Sequence, residues 1–351
     1  HSSWPSPGPP GTTNKVTGLT RAGSMTELSD VTRVAAIDCG TNSIRLLVAD
    51  VVRDQGGARL TDLTRQMRIV RLGRGVDRTG VLEGAAIERA VEATVEYQRM
   101  IEALGASRVR FVATSATRDA ANSDEFTREI RRVIGVDPEV VPGTEEASLS
   151  FSGAVCGLGG SVDAPMLVVD IGGGSTELVL GDARVEQAVS VNMGAVRVTE
   201  KFLSGVDPAG GVPPQDEARV VAWVDEQLDV AEKSVDLGRV RTLVGVAGTV
   251  TTLTAQALGL TSYQPERIHG AALSEEEIGA AVRFMVDQPV ALKAALGFMP
   301  EGREDVIAGG ALIWSRIVRR VLARAEQAGR PIARVRTSEH DILDGIALAM
   351  A

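Results

Sequence analysis

The strongest chemical signal in the sequence is a glycine-rich segment that begins and ends with a carboxylate. It reads Asp170-Ile-Gly-Gly-Gly-Ser-Thr-Glu177, and the apolar residues Leu178, Val179 and Leu180 follow it. The backbone amides and hydroxyls of such a turn donate hydrogen bonds to phosphate oxygens. Its carboxylates would hold a hydrated Mg²⁺ through few direct contacts. The segment therefore favours a magnesium-phosphate site over a glycine turn with two solvated acids.

An earlier segment of the chain repeats this pattern. Ile37 to Asp50 aligns with Val169 to Asp182 at a constant offset of 132 residues, with coinciding Asp, Gly, Ser and Leu positions. Each copy has an aliphatic run on either side of a turn, which is typical of two strands joined tightly. Asp38 would lie beside the first turn as Asp170 lies beside the second. The duplication favours two phosphate-binding hairpins that face a cleft over two ordinary hairpins.

Two adjacent glutamates, Glu145 and Glu146, stand at the start of a predicted helix in Gly143-Thr-Glu-Glu-Ala147. The helix dipole favours glutamates at this position, so the pair has a structural explanation. It also falls at the inferred boundary between the two halves, where a carboxylate could orient water toward a phosphorus atom. One of the two is therefore a candidate general base.

Two arginines and a second glycine turn are further candidates for phosphate binding. Arg118 follows a predicted strand and either contacts phosphate oxygens or pairs with Asp119 at the surface. Gly248 and Thr249 open a helix after a strand, so their amides would face an anion, although a plain strand-to-helix turn explains them equally. Arg303 precedes a long apolar helix, either as a helix-start residue or as a substrate ligand.

The histidines and cysteines exclude several kinds of site. Apart from His1 the chain has two histidines, His269 and His340, which are too few for a multi-histidine metal centre. We interpret His269 as a polar core residue. The two cysteines, Cys39 and Cys156, form neither a disulfide framework nor a zinc-finger spacing. We expect both to be small buried residues.

The composition is that of an acidic globular chain, with 351 residues, a formal charge of −9 and 44% apolar residues. We interpret residues 1–24, rich in Pro, Gly and Ser, as an irregular expression leader; without its Lys15 and Arg21 the charge becomes −11. Such acidity excludes general nucleic-acid binders and membrane-surface proteins. The uncharged stretch from Gly245 to Pro265 carries five threonines and is not a membrane span. We therefore expect a cytoplasmic protein.

The elements that must position these residues alternate between strands and helices. Strands are predicted at 68–72, 109–113 and 241–246, and helices at 84–104 and 305–323. This alternation indicates an α/β chain with mixed sheets.

Six motifs occur in the order seen in one known family. They are Ile37-Asp-Cys-Gly-Thr-Asn-Ser-Ile-Arg-Leu46, Ala116-Thr-Arg-Asp-Ala120, Gly143-Thr-Glu-Glu-Ala147, Asp170-Ile-Gly-Gly-Gly-Ser-Thr-Glu177, Met193-Gly-Ala-Val-Arg197 and Gly245-Val-Ala-Gly-Thr249. Each is weak alone, but the set resembles the exopolyphosphatase and guanosine-pentaphosphate phosphatase family from about Val31 to the end of the chain. The resemblance is to a short form without the C-terminal helical HD-type region of larger relatives.

The resemblance implies an α/β fold of two ribonuclease-H-like domains around a cleft, as in actin, sugar kinases and Hsp70-type ATPases. Residues 31–142 and 335–351 would form the first domain, and residues 143–334 the second. Family members hydrolyse the terminal phosphate from linear polyphosphate with Mg²⁺, and some act on pppGpp. The expected ion is therefore Mg²⁺, with Mn²⁺ or a monovalent cation as alternatives.

The site residues of the family map onto matching positions of this chain. Glu146 would be the catalytic base that orients water, and Asp170 and Glu177, with Asp38, would be associated with the metal. The residues expected at substrate phosphates are Thr41, Asn42, Ser43, Arg118, Gly172, Gly173, Gly174, Ser175, Gly248, Thr249 and Arg303.

The chain also departs from the family pattern. Leu343 stands where the resemblance predicts an arginine, and without the HD-type region we expect a preference for short polyphosphate chains. An acidic body must concentrate positive potential locally to hold a polyanion. We expect Arg118, Arg197, Arg267 and Arg303 to form a basic rim around the cleft.

Three alternatives to an exopolyphosphatase remain open from the sequence. The first is a pppGpp 5′-phosphohydrolase, since a guanosine pocket has no short signature. The second is an ATPase or kinase of the same fold, because paired phosphate hairpins also suit ATP. The third is a non-catalytic sensor of polyphosphate or an alarmone. Family analogy adds a homodimer as the expected assembly.

Overall fold

Two mixed β-sheets form the framework of the structure, a computed structural model that describes residues 30–158 and 160–351. The predicted leader, residues 1–24, lies outside these residues. The first sheet has the order β3-β2-β1-β4-β5 and consists of β1 (Asp30–Cys39), β2 (Ser43–Asp54), β3 (Gly57–Ile69), β4 (Arg108–Ala113) and β5 (Glu139–Val140). The helices of this half are α1 (Val76–Thr79), α2 (Gly84–Leu104), α3 (Ser115–Asp119) and α4 (Ser123–Ile134).

Amphipathic helices cover one face of the first sheet. The helix α4 buries Phe126, Ile130 and Ile134 at helical spacing, and Phe126 packs on Phe111 of β4 with ring centroids 6.4 Å apart. The helix α2 ends at Gly105, whose φ of 69° is a left-handed conformation that glycine adopts without strain. These helices bury one face of the sheet that contains β1 and β4.

The second sheet has the order β10-β11-β9-β6-β7-β8. Its half of the chain comprises α5 (Gly143–Leu158), β6 (Met166–Ile171), β7 (Thr176–Gly181), β8 (Val185–Val191), α6 (Ala195–Val198), a π-helical turn (Thr199–Leu203), α7 (Pro214–Ala231), a 3₁₀ turn (Leu237–Arg239), β9 (Thr242–Val246), α8 (Ala247–Ala257), α9 (Pro265–Ile268), β10 (Ala272–Leu273), α10 (Glu275–Asp287), α11 (Val290–Ala294), α12 (Ile307–Gln327) and β11 (Val335–Ser338). The last helix is α13 (Ile342–Ala349). The predicted α/β class with mixed sheets is confirmed.

The two copies of the sequence repeat form equivalent hairpins. In the first sheet β1 pairs antiparallel with β2 and parallel with β4, and in the second β6 pairs antiparallel with β7 and parallel with β9. Asp38 lies opposite Arg45, and Asp170 lies opposite Glu177. The offset of 132 residues therefore relates positions with the same place in the two sheets.

The end of the chain divides between the two halves. The strand β11 pairs with β9 of the second sheet, whereas α13 packs against β1, β2 and α5. The predicted first domain included residues 335–351, so the structure differs from that boundary over Val335–Ser338. The difference arises because β11 completes the second sheet before the chain returns.

The predicted strand at 68–72 is only partly correct. The strand β3 ends at Ile69, because the amides of Val70 and Arg71 turn to the carbonyl oxygen of Asn42, each at 2.9 Å. Arg71 has a φ of 52°, an uncommon conformation for a residue with a side chain.

Among the described residues, no helix has the length and apolar character needed to cross a membrane.

Candidate active site

A cavity of about 890 Å³ lies where the two hairpin turns meet. Most of the predicted site residues line it: Asp38, Thr41, Asn42, Ser43, Glu146, Asp170, Gly172, Gly173, Gly174, Ser175, Gly248, Thr249 and Arg303. Two of the predicted residues, Arg118 and Glu177, are outside the lining. Both are bonded to residues that form it, as described below.

The two hairpin turns are closed by equivalent backbone hydrogen bonds, and they lie against each other. The amide of Gly40 donates to Ser43 and the amide of Gly172 to Ser175, each at 2.9 Å. A Cβ atom on Gly174 would lie 2.7 Å from Oγ1 of Thr41, and would clash with Ser115. Glycine is therefore required in the second turn because the first half approaches it so closely.

The hydroxyl of Thr41 is left without a partner in this cavity. It is buried, and no hydrogen bond to Oγ1 is made within residues 30–158 and 160–351. An unsatisfied buried hydroxyl is costly, and a ligand oxygen would satisfy it. This orphan atom supports the predicted contact between Thr41 and a phosphate.

Four buried carboxylates cluster at the cavity. Burial and repulsion from Asp170 raise the pKa of Glu146 to about 8, although Arg118 opposes this. Burial and repulsion from other acids raise the pKa of Asp170 to about 7. Burial also raises the pKa of Asp38, and burial with repulsion from Glu146 and Asp170 raises that of Glu177 strongly. Asp170 and Glu177, which form no ion pair among the described residues, resist ionisation most unless a cation joins them.

Serine hydroxyls fix two of these carboxylates. Ser150 of α5 donates to Asp170 at 2.5 Å. Ser175 and Ser190 donate to the same oxygen of Glu177 at 2.8 and 2.7 Å. These hydroxyl groups fix the orientation of both carboxyl groups, as hydrogen-bond partners of metal ligands commonly do.

The donor set fits a hydrated Mg²⁺. All four side chains offer oxygen, which Mg²⁺ prefers, and Asp170 and Glu177 have no arginine partner among the described residues. Across the described residues, no three His, Cys, Asp or Glu side chains already form a ligand group for one ion. Mg²⁺ commonly retains water and binds through one or two carboxylates and substrate phosphates, so a complete protein cage is not required.

The structure separates the two adjacent glutamates at the start of α5. Glu146 is buried and lines the cavity, whereas Glu145 pairs with Arg110 at 2.9 Å and its side chain is 44% exposed. Arg118 donates to Glu146 at 3.1 Å and to the carbonyl oxygen of Val141 at 2.8 Å. Arg118 thus pairs with the candidate base rather than with Asp119, and it does not line the cavity.

Arg303 lies on the opposite wall beside the turn that opens α8. Its Nη1 donates to Thr252 at 3.1 Å, and a Cβ atom on Gly248 would clash with its guanidinium. Burial lowers the pKa of Arg303 to about 10. Ala247, just before Gly248, has a φ of 74°, a strained conformation of the kind found at ligand sites. Because no carboxylate within the described residues pairs with Arg303, this guanidinium is open to an anion.

Arg45 and Asp341 belong to the site, and neither was predicted. Arg45 donates to Asp38 at 2.9 Å and to Asp341 at 2.7 Å, and all three line the cavity. Through the repeat, Arg45 occupies the position equivalent to Glu177, so the repeat itself carried a signal for it. Asp341 had no such signal, because its partner is 296 residues away.

The other sequence expectations have mixed outcomes. Arg197 and Arg267 do not line the cavity: Arg197 is paired with carboxylates, and Arg267 is exposed. His269 is a wall residue rather than a core residue, with its ring 4.7 Å from that of His340. Cys39 is buried as expected, and burial raises its thiol pKa, but Cys156 is exposed.

Comparison with known proteins identifies the family. The profile of the Ppx/GppA phosphatase family matches residues 48–327. Exopolyphosphatase 2 of Mycobacterium tuberculosis is 44% identical over 326 residues, which are 92% of this chain and 99% of that protein.

Solved structures of similar proteins support the same family. A crystal structure described as an exopolyphosphatase-like protein is 43% identical, with a TM-score of 0.86 over 92% of this chain and 98% of that one. The PPX-GPPA enzyme of Aquifex aeolicus is 29% identical, with a TM-score of 0.72 over 91% of this chain and 100% of that one. These matches confirm the predicted family, and they show that the chain has the α/β fold of these Ppx/GppA structures. The chain belongs to the Ppx/GppA phosphatase family.

Proposed function

We propose that this protein is an exopolyphosphatase that hydrolyses the terminal phosphoanhydride bond of linear polyphosphate with Mg²⁺. The observation that carries the proposal is Glu146, a buried carboxylate with a raised pKa on the wall between two phosphate-type turns. Family membership and the name of the Mycobacterium tuberculosis relative support the substrate class.

The terminal phosphate would bind between the two turns. The amides of Gly172 to Ser175 and the unpaired hydroxyl of Thr41 are suitable donors to its oxygens. Arg303 would neutralise the next phosphate, because its guanidinium is the one in the lining that lacks a carboxylate partner among the described residues. Arg118 would act on the substrate through Glu146 rather than by direct contact.

Asp170 and Glu177 are the residues that would hold Mg²⁺, together with waters and substrate oxygens. Asp38 would act from a greater distance, since its charge is already neutralised by Arg45 at 2.9 Å. When bound, the ion supplies charge neutralisation on the phosphate oxygens. Mn²⁺ or a monovalent cation would serve the same oxygen ligands.

Glu146 would orient water in line with the bond that breaks. The water oxygen forms a bond to phosphorus, the bridging oxygen leaves with the shortened chain, and Glu146 accepts the proton from the water. The raised pKa of Glu146 suits this step because a base that titrates near neutral pH accepts and then releases a proton readily. The product is inorganic phosphate.

The charges of the cavity lining support a preference for short chains. Of the three arginines that line it, Arg45 and Arg65 are each paired with two aspartates, which leaves only Arg303 for an extended polyanion. Glu266 and Glu339 line the same cavity and would repel further phosphates. A tripolyphosphate should therefore be a better substrate than a chain of hundreds of phosphates.

A second candidate substrate is pppGpp. The cavity lining includes Phe298, Met299 and Pro300, an apolar surface that a polyphosphate chain does not need and that a nucleobase would cover. The triphosphate end would occupy the same turns.

Cytoplasmic location and a homodimer stay predictions from the sequence and family.

A phosphate-release assay tests these proposals directly. Tripolyphosphate, long polyphosphate, pppGpp and ATP would each be supplied with and without Mg²⁺. We expect Mg²⁺-dependent release from tripolyphosphate, with a lower specificity constant for long chains. Faster turnover of pppGpp would make the nucleotide the principal substrate. Release from ATP alone would indicate an ATPase, and no release from any of the four would indicate a sensor.

A further inference from the structure

Arg197 bonds to both halves of the molecule at the edge of the cleft. Its Nε donates to the carbonyl oxygen of Gly174 at 2.8 Å, within the glycine-rich turn. Its Nη1 pairs with Asp77 of α1 at 2.5 Å, and its Nη2 with Asp119 of α3 at 2.8 Å. The side chain is only 15% exposed. The guanidinium therefore ties the turn of the second half to two helices of the first.

The helix that carries Arg197 also holds the turn through its backbone. The amide of Ala195 donates to Gly172, and the amides of Val196 and Arg197 donate to Gly173, at 2.9 to 3.1 Å. The carbonyl oxygens of the turn are thus engaged by α6 and by the Arg197 side chain. The turn and Arg197 form one unit, whose position relative to the first half depends on the two aspartates.

Further contacts join the same two halves nearby. Glu200 accepts a hydrogen bond from the amide of Gly75 at 2.9 Å, and Arg71 pairs with Asp305 at 3.2 Å. The Glu200 contact does not reach a phosphate-type turn, and Arg71 reaches one only through its backbone amide, which donates to the carbonyl oxygen of Asn42. Arg197 is distinct because it links the cross-cleft ion pairs to Gly174.

The electrostatics of Arg197 argue against direct phosphate binding. Two carboxylates surround one guanidinium, so the group carries net negative charge and would repel a phosphate oxygen. Its donors are already directed to Gly174, Asp77 and Asp119 at hydrogen-bonding distance. Arg197 also lies outside the cavity lining.

We propose that Arg197 is a positioning residue, which holds the glycine-rich turn in register with the first hairpin for in-line attack. This inference rests on the proposed hydrolytic function. Catalysis of phosphoryl transfer depends mainly on alignment, so a small displacement of the turn should slow turnover more than it weakens binding. Asp77 and Asp119 share the role, because they are the fixed points on the other half.

The kinetic test compares Arg197→Gln and Arg197→Lys with the double variant Asp77→Asn/Asp119→Asn, using tripolyphosphate and Mg²⁺. Each should lower kcat on the order of 10- to 100-fold with a much smaller change in KM. A triple variant that combines Arg197→Gln with Asp77→Asn and Asp119→Asn should lower kcat little further. Lysine should not rescue, because it cannot bridge three acceptors in a fixed geometry. Arg239→Gln, which removes an exposed pair with Glu186, is the matched control and should leave kcat unchanged.

A direct phosphate ligand gives the opposite pattern, which would overturn the proposal. In that case Arg197→Gln would mainly raise KM, Arg197→Lys would restore much of the affinity, and the double aspartate variant would lower KM by freeing the guanidinium. Unchanged kinetics in all variants would overturn it as well.

Hydrogen exchange provides a readout that does not depend on activity. In the substrate-free protein, Arg197→Gln and the double aspartate variant should speed amide exchange in residues 172–175 and 75–79, while exchange in β1 and β6 stays at the wild-type rate. If amide exchange in residues 172–175 is the same in these variants as in wild type, the positioning role is overturned even if the enzyme is active. If exchange rises as expected while wild type releases no phosphate, the hydrolytic proposal fails, but the structural link from Arg197 to Asp77 and Asp119 is supported.

Discussion

Glu145 and Glu146 are neighbours in sequence with opposite environments, which makes them a test of the catalytic base. Glu146→Gln removes the proton acceptor but keeps the shape and the hydrogen-bonding capacity toward Arg118. We expect kcat on tripolyphosphate to fall on the order of 100- to 10,000-fold, with KM nearly unchanged. Glu145→Gln is the control, because Glu145 pairs with Arg110 outside the cavity. Comparable losses in both variants would contradict the assignment.

Arg303 should influence binding rather than the chemical step. An arginine held without an ion pair is costly to the fold and favourable to an anion, so Arg303→Gln should weaken substrate binding without lowering stability. We expect KM for tripolyphosphate to rise about tenfold, as loss of one charge-assisted hydrogen bond implies. Thermal unfolding, measured in parallel, should show a midpoint at or above that of wild type. An unchanged KM would remove Arg303 from the phosphate site.

The raised pKa values of the acids predict how stability depends on pH. In the metal-free protein Glu146 titrates at about 8 and Asp170 at about 7. In the unfolded chain both titrate near 4, so the folded state binds extra protons between these values. The free energy of unfolding should therefore fall as pH rises from about 4 through about 8. Thermal unfolding without Mg²⁺ would measure this, and Glu146→Gln should show a shallower fall.

Mg²⁺ should reverse that loss where the carboxylates are ionised. At about pH 8 Asp170 is mostly ionised, so the ion displaces fewer protons than at about pH 6, where it competes with them. The increase in unfolding midpoint on adding Mg²⁺ should thus be larger at the higher pH. Equal shifts at both pH values would argue against a metal held by these acids.

At the scale of elements, the backbones of α5 and α13 are in close contact at two glycines. A Cβ atom on Gly345 of α13 would clash with the backbone carbonyl of Leu149 of α5, and one on Gly153 of α5 would clash with Asp341. The helix that carries Glu146 is therefore held by the end of the chain. Glycine at these positions is dictated by backbone contact, since a carbonyl oxygen cannot move aside as a flexible side chain can.

Gly345→Ala should consequently be destabilising, by about 1–3 kcal/mol, as expected for a side chain forced into a packed interface. Gly279→Ala in α10 is the matched control, because a Cβ atom there meets nothing within 4 Å. The control should gain up to about 1 kcal/mol from better helix propensity. Denaturant unfolding of the two variants gives the comparison, and equal stabilities would show that the α5–α13 contact relaxes easily.

The hairpins and the first turn of α5 could be predicted because their signals are local. Glycine turns and flanking aliphatic runs lie within short windows of sequence, and the repeat at an offset of 132 residues appears when two such windows are compared. Pairings such as Arg45 with Asp341 and Arg197 with Asp77 join residues 296 and 120 positions apart, so no local pattern indicates them. The assignment of Arg197 to a basic rim was wrong for this reason, since its carboxylate partners come from a different part of the chain.

At the scale of the whole molecule, the predicted basic rim is largely neutralised. Arg118 pairs with Glu146, Arg197 with two aspartates, and Arg267 is exposed outside the lining, so Arg303 is the one rim arginine that keeps its charge for the substrate. The formal charge of −9 is therefore not offset near the cleft. A polyanionic substrate should approach against a repulsive field until it carries a bound cation.

This repulsion predicts an unusual salt dependence. For an enzyme that attracts its substrate electrostatically, added salt lowers kcat/KM, but screening should raise it when long-range repulsion dominates. We expect kcat/KM for tripolyphosphate to increase between about 10 and 150 mM ionic strength at fixed free Mg²⁺, because the Debye length shortens to about 8 Å over this range. Tetramethylammonium chloride is the suitable salt, since its cation is too large to occupy a monovalent site among the carboxylates. A decrease would mean that Arg303 and the turn amides already attract the substrate at long range, and that the acidic surface has no influence on its approach.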